Sequence, residues 1–268
     1  MSLVIAELEI NAPSTEQSFP MPVTRFLAEA EIHLNRGDII LSRSPTLASW
    51  LIRRFTGGFF SHAALVFLIP QPEEGFENTF LVESVSEGVG IASLKAWIAG
   101  RRPVAEIAIL RVEQAGLDDN YFRRVRGLML DHVKSGYDYS RVFRLGLAFL
   151  FASRLGWFSV KEGGRKSMRA AIRQTRTRHF RWVPPQFICS GFIQYGYVAA
   201  LARQGEDASR VVFKEGLSER DRDGLLATTP EDIARSPKVT WRFVARRGWV
   251  HRVADYAEAR RIISGVKS

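Results

Sequence analysis

The sequence predicts an α+β protein in which helices pack on a largely antiparallel sheet. Apolar runs of strand length follow one another across residues 61–112 and are separated by turn-forming residues, as in antiparallel strands joined in series. Longer segments with apolar residues at helical spacing lie on both sides of these runs. Hydrophobic residues make up 46% of the 268 residues, which is enough for one sizeable core.

The first half of the chain alternates between strands and helices. Residues 1–20 are predicted as a loose arm, and residues 21–34 as a helix that lies against the domain as a lid or strap. The sequence SEGVG, residues 86–90, is predicted as a turn. Between these segments we predict a strand over 37–44, a helix over 45–57, and strands over 61–69, 79–85 and 104–112.

The second half of the chain is richer in helix. A helix is predicted over residues 117–136, and the segment 141–181 is interpreted as an insertion that ends before Pro184 and Pro185. A further helix begins near Cys189. Thr229 as N-cap and Pro230 at the first helical position indicate a short helix before the strand KVTWRFV. Residues 1–36 thus form an arm and a helix, and residues 37–268 form one domain.

The positive charge is concentrated in one segment. The chain carries 38 Lys and Arg against 28 Asp and Glu, and residues 161–181 are dense in Lys and Arg with Glu162 as their one acidic residue. Such a segment is typical either of a solvated surface or of a site that meets phosphate on an anionic membrane. Nucleic acid is not favoured as a partner, because only Phe180 and Trp182 supply aromatic rings for base stacking nearby.

No membrane-spanning or secretory segment is predicted. The apolar run LGLAFLFAS, residues 145–153, is shorter than the roughly 20 residues that a spanning helix needs. The first twenty residues lack a basic start followed by an apolar run, so we expect a cytoplasmic or membrane-peripheral protein. The oligomeric state is left open.

Cys189 is the only cysteine in the sequence and has two interpretations. A lone cysteine among apolar residues is usually a small buried hydrophobe. Cys189 also lies where a loop enters a helix, however, and the positive end of the helix dipole favours a thiolate there. A nucleophilic thiol additionally needs a base within hydrogen-bond reach.

His62 is the best-placed base among the five histidines, because it begins a strand directly after the glycine-rich turn TGGFFS. Alternation on this strand gives two apolar faces, which indicates a central strand. On the next strand Glu83 shares a face with Leu81 and Val85, and a carboxylate in that place calls for a partner such as an imidazolium. Alternatively, His62 and Glu83 are structural residues of the sheet. No two of the five histidines have metal-ligand spacing with Cys189, so a zinc site is not favoured.

Taken together, the segments resemble a known family. GDIIL, SHAALV, VESV, GYDYS, CSGF and TTPEDIARSP follow one another as in the circularly permuted, NlpC-type papain-like hydrolases. The sequence is most similar to the YiiX/YaeF-like amidases, with lecithin:retinol acyltransferase as a more distant relative. It departs from that pattern at Gly191, where family members often carry glutamate after the Cys-Ser pair, and in the segment 141–181, which has no counterpart.

The resemblance implies a papain-like fold with permuted connectivity and assigns roles to residues. Cys189 would attack a carbonyl, His62 would transfer the proton and Glu83 would orient His62; no cofactor is expected. Substrate-binding residues would be Tyr137, Tyr139 and Ser190; alternatively, Tyr137 and Tyr139 pack on the edge of the sheet. Three functions remain open: a hydrolase of an amide in a peptide, cell-wall or acylated substrate; an acyltransferase or phospholipase-like enzyme acting on lipid; and a binding module without turnover.

Overall fold

Ten strands and nine helices make up the parts of the chain that the structure describes. The structure is a computed structural model, and it describes residues 18–44, 47–85, 87–100, 106–114, 116–133, 136–137 and 186–265. The strands are β1 (Met21–Pro22), β2 (Ile39–Arg43), β3 (His62–Leu68), β4 (Phe80–Val85), β5 (Gly88–Ser93), β6 (Glu106–Arg111), β7 (Gly136–Tyr137), β8 (Gln186–Phe187), β9 (Thr240–Arg246) and β10 (Trp249–Arg252). The helices are α1 (Val23–Ala28), α2 (Ala30–His33), α3 (Leu47–Thr56), α4 (Leu94–Gly100), α5 (Asp119–Leu130), α6 (Cys189–Ala202), α7 (Arg222–Leu226), α8 (Pro230–Ala234) and α9 (Tyr256–Ser264).

Eight of these strands form one antiparallel sheet in the order β1-β10-β9-β6-β2-β3-β4-β5. Every pairing in that sheet is antiparallel, whereas β7 and β8 form a separate parallel pair. Helices cover both faces of the sheet. The predicted α+β class, with an antiparallel sheet packed against helices, is therefore confirmed.

Strand β3 lies in the middle of the sheet and is buried on both faces. Ala63 and Leu65 belong to the apolar cluster that also contains residues of α5 and α6. Ala64 and Val66 belong to the second cluster, which includes residues of α1 and α4. Because successive side chains of a strand point to opposite faces, β3 contributes to both clusters. The predicted central position of this strand is confirmed.

Helix α6 is the most buried helix among the described residues. Twelve of its fourteen residues are buried, from Cys189 through Leu201. A helix that is apolar on all sides needs neighbours on all sides, and α6 packs against α5, α7, β3 and β4. Its first residue is consequently held in a fixed position relative to the sheet.

Several element predictions are wrong in detail. The sequence SEGVG does not act only as a turn, because Gly88 begins β5 and pairs with Val85. Helix α5 ends at Leu130 rather than at residue 136. Residues 21–34 contain a short strand and two short helices instead of one helix. The hairpin of β9 and β10 was not predicted; its turn is formed by Arg247 and Gly248, both with positive φ.

Some predictions concern residues outside the described ranges. These are most of the loose arm, the insertion 141–181 and Tyr139. Among the helices that are described, none is long and apolar enough to cross a membrane.

Candidate functional site

Three side chains singled out in the sequence lie together at one end of the sheet. His62 is the first residue of β3, and Glu83 lies on the neighbouring strand β4. The register pairs Ala64 with Glu83, so the side chains of His62 and Glu83 are diagonal neighbours on one face. Cys189 opens α6, which packs on both of these strands. The strand pairing and the helix packing thus bring the three residues together.

His62 and Glu83 form a short, nearly dry contact. The His62 Nε2 atom lies 2.5 Å from Glu83 Oε2, and the two side chains are 14% and 9% exposed. Because Nε2 is engaged by the carboxylate, Nδ1 is the ring nitrogen left for a second partner. The contact fixes the orientation of the imidazole ring.

The Cys189 thiol is that second partner. Burial lowers the pKa of His62, but attraction to the charged Cys189 sulfur, a hydrogen bond with it and the contacts with Glu83 outweigh burial and raise this pKa to about 9. The imidazole is therefore charged at neutral pH. A thiol, an imidazole and a carboxylate follow one another at this site, and the raised pKa of His62 favours the thiolate–imidazolium form of the pair.

The pKa of Cys189 is shifted in the opposite direction. Burial raises the pKa of the thiol, but the charge of His62 and its hydrogen bond, followed by hydrogen bonds from the backbone N–H groups of Ala63 and Ser190, lower it below the ordinary value. The sulfur also lies at the start of a fourteen-residue helix, where the dipole favours negative charge. These contacts stabilise the thiolate.

The turn that leads into His62 is held from the side of α3. The Ser49 hydroxyl donates to the Ser61 hydroxyl at 2.6 Å, and Arg53 Nη1 donates to the Ser49 oxygen at 2.5 Å. Ser61 Oγ donates in turn to the carbonyl of Ser42, the residue paired with His62. This chain of hydrogen bonds fixes the first residue of β3 from one side.

A buried glutamate of α8 also holds this turn. Glu231 is 5% exposed, and its Oε2 atom accepts from the Phe59 N–H at 2.7 Å. Its Oε1 atom accepts from Arg235 Nε at 2.6 Å and from the Tyr256 hydroxyl. Helices α8 and α9 thereby contribute to the position of His62, although they lie far from it in sequence.

The structure places the predicted substrate-binding residues in different surroundings. Ser190 is fully buried, and its hydroxyl donates to the Thr228 carbonyl at 2.6 Å, so the side chain ties α6 to the segment after α7 instead of facing a substrate. The backbone of Tyr137 pairs with Phe187, two residues before Cys189. The side chain of Tyr137 and the whole of Tyr139 lie outside the described parts of the structure.

Packing explains the departure at Gly191. A Cβ atom at this position would lie 2.1 Å from the Leu226 carbonyl oxygen, which is far inside van der Waals contact. Helix α6 therefore approaches the backbone at the end of α7 at a point where any side chain would collide. The absence of a side chain after the Cys-Ser pair is a requirement of this approach.

Trp97 is a site residue that the sequence reasoning missed. Its Nε1–H donates to Glu83 Oε2 at 2.8 Å, and its ring centroid lies 6.2 Å from that of His62. The only sequence signal was an aromatic residue in the apolar pattern of α4, which is more typical of a core residue. The contact depends on β5 returning along β4, and that strand was predicted as a turn.

Within the described residues, no group of three or more His, Cys, Asp and Glu side chains is arranged to hold a metal ion. The polar groups at the site instead form the linear series Cys189, His62, Glu83 and Trp97. An arrangement of this kind suits nucleophilic attack by sulfur with an imidazole as proton carrier.

Comparison with known proteins gives a family match for part of the chain. The model of the family described as "Permuted papain-like amidase enzyme, YaeF/YiiX, C92 family" matches residues 33–144, a range that contains His62 and Glu83 and ends before Cys189. No curated protein matches the chain. The crystal structure of metalloprotein yiiX from Escherichia coli O157:H7 is similar at a TM-score of 0.46 and 18% identity, over 80% of this chain and 98% of that chain. The family match confirms the predicted resemblance, and residues 33–144 relate the chain to the permuted papain-like amidases of the YaeF/YiiX type.

Proposed function

We propose that the protein is a cysteine hydrolase that cleaves an amide bond of a peptide, cell-wall or acylated substrate through Cys189, His62 and Glu83. The observation that carries the proposal is the buried contact series of thiol, imidazole and carboxylate, in which the pKa of the thiol is lowered and that of the imidazole is raised. A structural cysteine needs no such partners. The family match supports amidase chemistry at the level of the family.

In the proposed reaction the Cys189 thiolate attacks the carbonyl carbon of the amide and forms a tetrahedral intermediate. His62 then gives its Nδ1 proton to the leaving amine, the C–N bond breaks and a thioester remains on Cys189. Water attacks the thioester, and His62 takes a proton from that water as the C–S bond breaks. The products are a carboxylic acid and an amine, and the thiolate–imidazolium pair is restored.

The developing oxyanion needs a hydrogen-bond donor at the start of α6. The first N–H groups of a helix have no partner within that helix, and Cys189 is the first residue of α6. The Cys189 backbone N–H is therefore the first donor that we propose. Glu83 does not contact the substrate in this scheme, since its Oε2 atom is engaged by His62 and Trp97.

An acyltransferase or phospholipase-like reaction on lipid is the second candidate. It is favoured by the apolar run at 142–160 followed by the basic run at 161–181, a combination typical of segments that lie on anionic membranes. A binding module is the third. Gly191 no longer favours that third reading, because the approach of Leu226 accounts for the missing side chain.

Purified protein should be incubated with acylated peptides, cell-wall peptides and phospholipids, with mass spectrometry of both the products and Cys189. We expect an amide substrate to give the acid and the amine together with an acyl adduct on Cys189, and Cys189→Ala to give neither. Release from phospholipid alone would favour the second candidate. If the wild type and Cys189→Ala bind a substrate equally and neither forms a product, the third candidate, a binding module, would be favoured.

A further inference from the structure

We propose that Trp97 is a positioning residue that acts through Glu83 on His62, which extends the contact series by one member. This inference rests on the proposed function. It is based on the hydrogen bond that Trp97 of α4 donates to Glu83. The sequence did not indicate a catalytic role for any residue of α4.

The direction of the Trp97 hydrogen bond is unambiguous. An indole N–H can only donate, so Glu83 Oε2 must accept at 2.8 Å. The same oxygen lies 2.5 Å from His62 Nε2. Two ring N–H groups therefore converge on one carboxylate oxygen, and together they determine where that oxygen lies.

The indole itself is held rigidly. Trp97 is 5% exposed and belongs to the apolar cluster on the His62 face of the sheet, together with Leu81 and Leu94. A side chain packed in this way loses little further freedom when it donates a hydrogen bond, so the position of its N–H is set by the fold. Without this donor, the Glu83 side chain would lose one of the contacts that hold Oε2 in place.

The indole also keeps water away from the His62–Glu83 contact. The two rings are inclined by 35° at a centroid separation of 6.2 Å, and Glu83 is 7% exposed. Charges that are removed from water interact more strongly than exposed ones. Trp97 thus acts on the imidazolium in two ways, through the orientation of its counter-charge and through the strength of the attraction.

The test measures the rate of Cys189 alkylation by iodoacetamide against pH, which needs no knowledge of the substrate. Trp97→Phe removes the donor and keeps an aromatic ring, and we expect the acid limb of its profile to move upward by about half a pH unit or more. Trp97→His can present Nε2–H where the indole N–H lies, so its profile should stay closer to wild type. Leu94→Ala, on the same helix and in the same cluster, is the control for packing and should leave the acid limb in place.

The double variant with Glu83→Gln separates positioning from packing. If Trp97 acts through Glu83, Trp97→Phe should shift the profile much less in the Glu83→Gln background than in the wild type. Equal shifts in both backgrounds, or equal shifts for Trp97→Phe and Trp97→His, would overturn the inference. Thermal unfolding checks that each variant is folded. If Trp97→Phe does not fold, the test rests on Trp97→His and on the double-variant comparison with Glu83→Gln, made on the proteins that do fold.

His62→Ala in the same assay distinguishes this inference from the proposed function. A large upward shift for His62→Ala with none for Trp97→Phe would reject only the role of Trp97. An unchanged profile for His62→Ala would reject the thiolate–imidazolium pair on which both proposals rest.

Discussion

At the scale of single residues, the lowered pKa of Cys189 depends on groups from three different elements. Helix α6 places its dipole at the sulfur, and β3 supplies the counter-charge of His62. Strand β4 supplies the carboxylate of Glu83, which contacts His62. None of these groups is close to another in sequence. The tertiary fold, and not a local motif, makes the sulfur a candidate nucleophile.

The pH dependence of alkylation tests this assignment. An ordinary thiol with a pKa of about 8.5 would lose more than about a hundredfold in labelling rate between pH 8.5 and pH 6, because so little thiolate remains. The pKa of Cys189 is lowered by the charge of His62, so we expect the labelling rate to fall much less than this between pH 8.5 and pH 6. Labelling of the folded protein with iodoacetamide at each pH measures this rate. A labelling rate that is negligible until pH 8, or one that is unaffected by His62→Ala, would show that Cys189 is a structural core residue and not a nucleophile.

Glu83→Gln tests the role of the carboxylate. The amide oxygen still accepts hydrogen bonds from His62 and Trp97, but the imidazolium loses its counter-charge. We therefore expect retained folding and substrate affinity, with turnover lowered by roughly a hundred- to ten-thousand-fold. Turnover at the wild-type level would place the third catalytic role elsewhere.

The alkaline limb of activity provides a second readout for Glu83. The imidazolium persists up to a pKa of about 9 and is lost as the pH rises through that value, while the thiolate is present above the lowered pKa of Cys189. Activity should therefore fall above about pH 9. Since Glu83 raises the pKa of His62, Glu83→Gln should move this limb to lower pH. A limb that stays at the same pH in the variant would show that Glu83 does not act through His62.

The sequence was sufficient to select the three polar residues but not Trp97. His62, Glu83 and Cys189 carry local signals: a strand start, a carboxylate on an apolar face and a helix start. Trp97 carries no such signal, because its contact with Glu83 depends on how β5 returns along β4. Ser190 was assigned to substrate binding from the family resemblance, and its burial against Thr228 could not be read from the sequence.

At the scale of elements, the contact between α6 and the end of α7 is the tightest constraint on the cysteine helix. Gly191→Ala would force a methyl group against the Leu226 carbonyl oxygen, at 2.1 Å. We expect a loss of at least about 2 kcal/mol in the free energy of unfolding, as is common for overpacking. Chemical denaturation measures this loss.

Gly127→Ala is the matched control. Gly127 lies within α5, and a Cβ atom there would meet nothing within 4 Å. Replacement of an open helical glycine by alanine stabilises a helix by roughly 0.5–1 kcal/mol, so this variant should gain stability. Equal effects of the two substitutions would show that the α6–α7 approach is looser than described.

Element prediction succeeded where local signals are strong. The capping box of Thr229 and Asp232, with Pro230 at the first turn, gives α8 the predicted start. It failed at β5, because Gly88 resembles a turn residue although it begins a strand that pairs with β4. It also failed at β10, a four-residue strand that pairs with β9 and β1. Short strands of this kind depend on pairing more than on composition.

At the scale of the whole molecule, the net charge of +10 is centred on the sequence segment 161–181. We propose that the insertion 141–181 binds anionic surfaces, with attraction of about 1 kcal/mol per Lys or Arg near the membrane. Wild-type protein should float with anionic liposomes, whereas a variant without residues 161–181 should float far less. Zwitterionic liposomes and high salt are the controls, and equal flotation of both proteins on anionic liposomes would contradict the proposal.

The pairing of β1 with β10 has a consequence for the order in which the molecule is assembled during translation. Strands β2 to β6 find all their mutual partners within residues 39–111, so they are able to pair soon after they leave the ribosome. Strand β1 is translated earlier than any of them, yet its partner strand β10, in which Val250 pairs with Met21, is translated after all of them. Cys189 is thus translated after the strands that carry His62 and Glu83, and β1 is able to pair in the sheet only once β10 has been made.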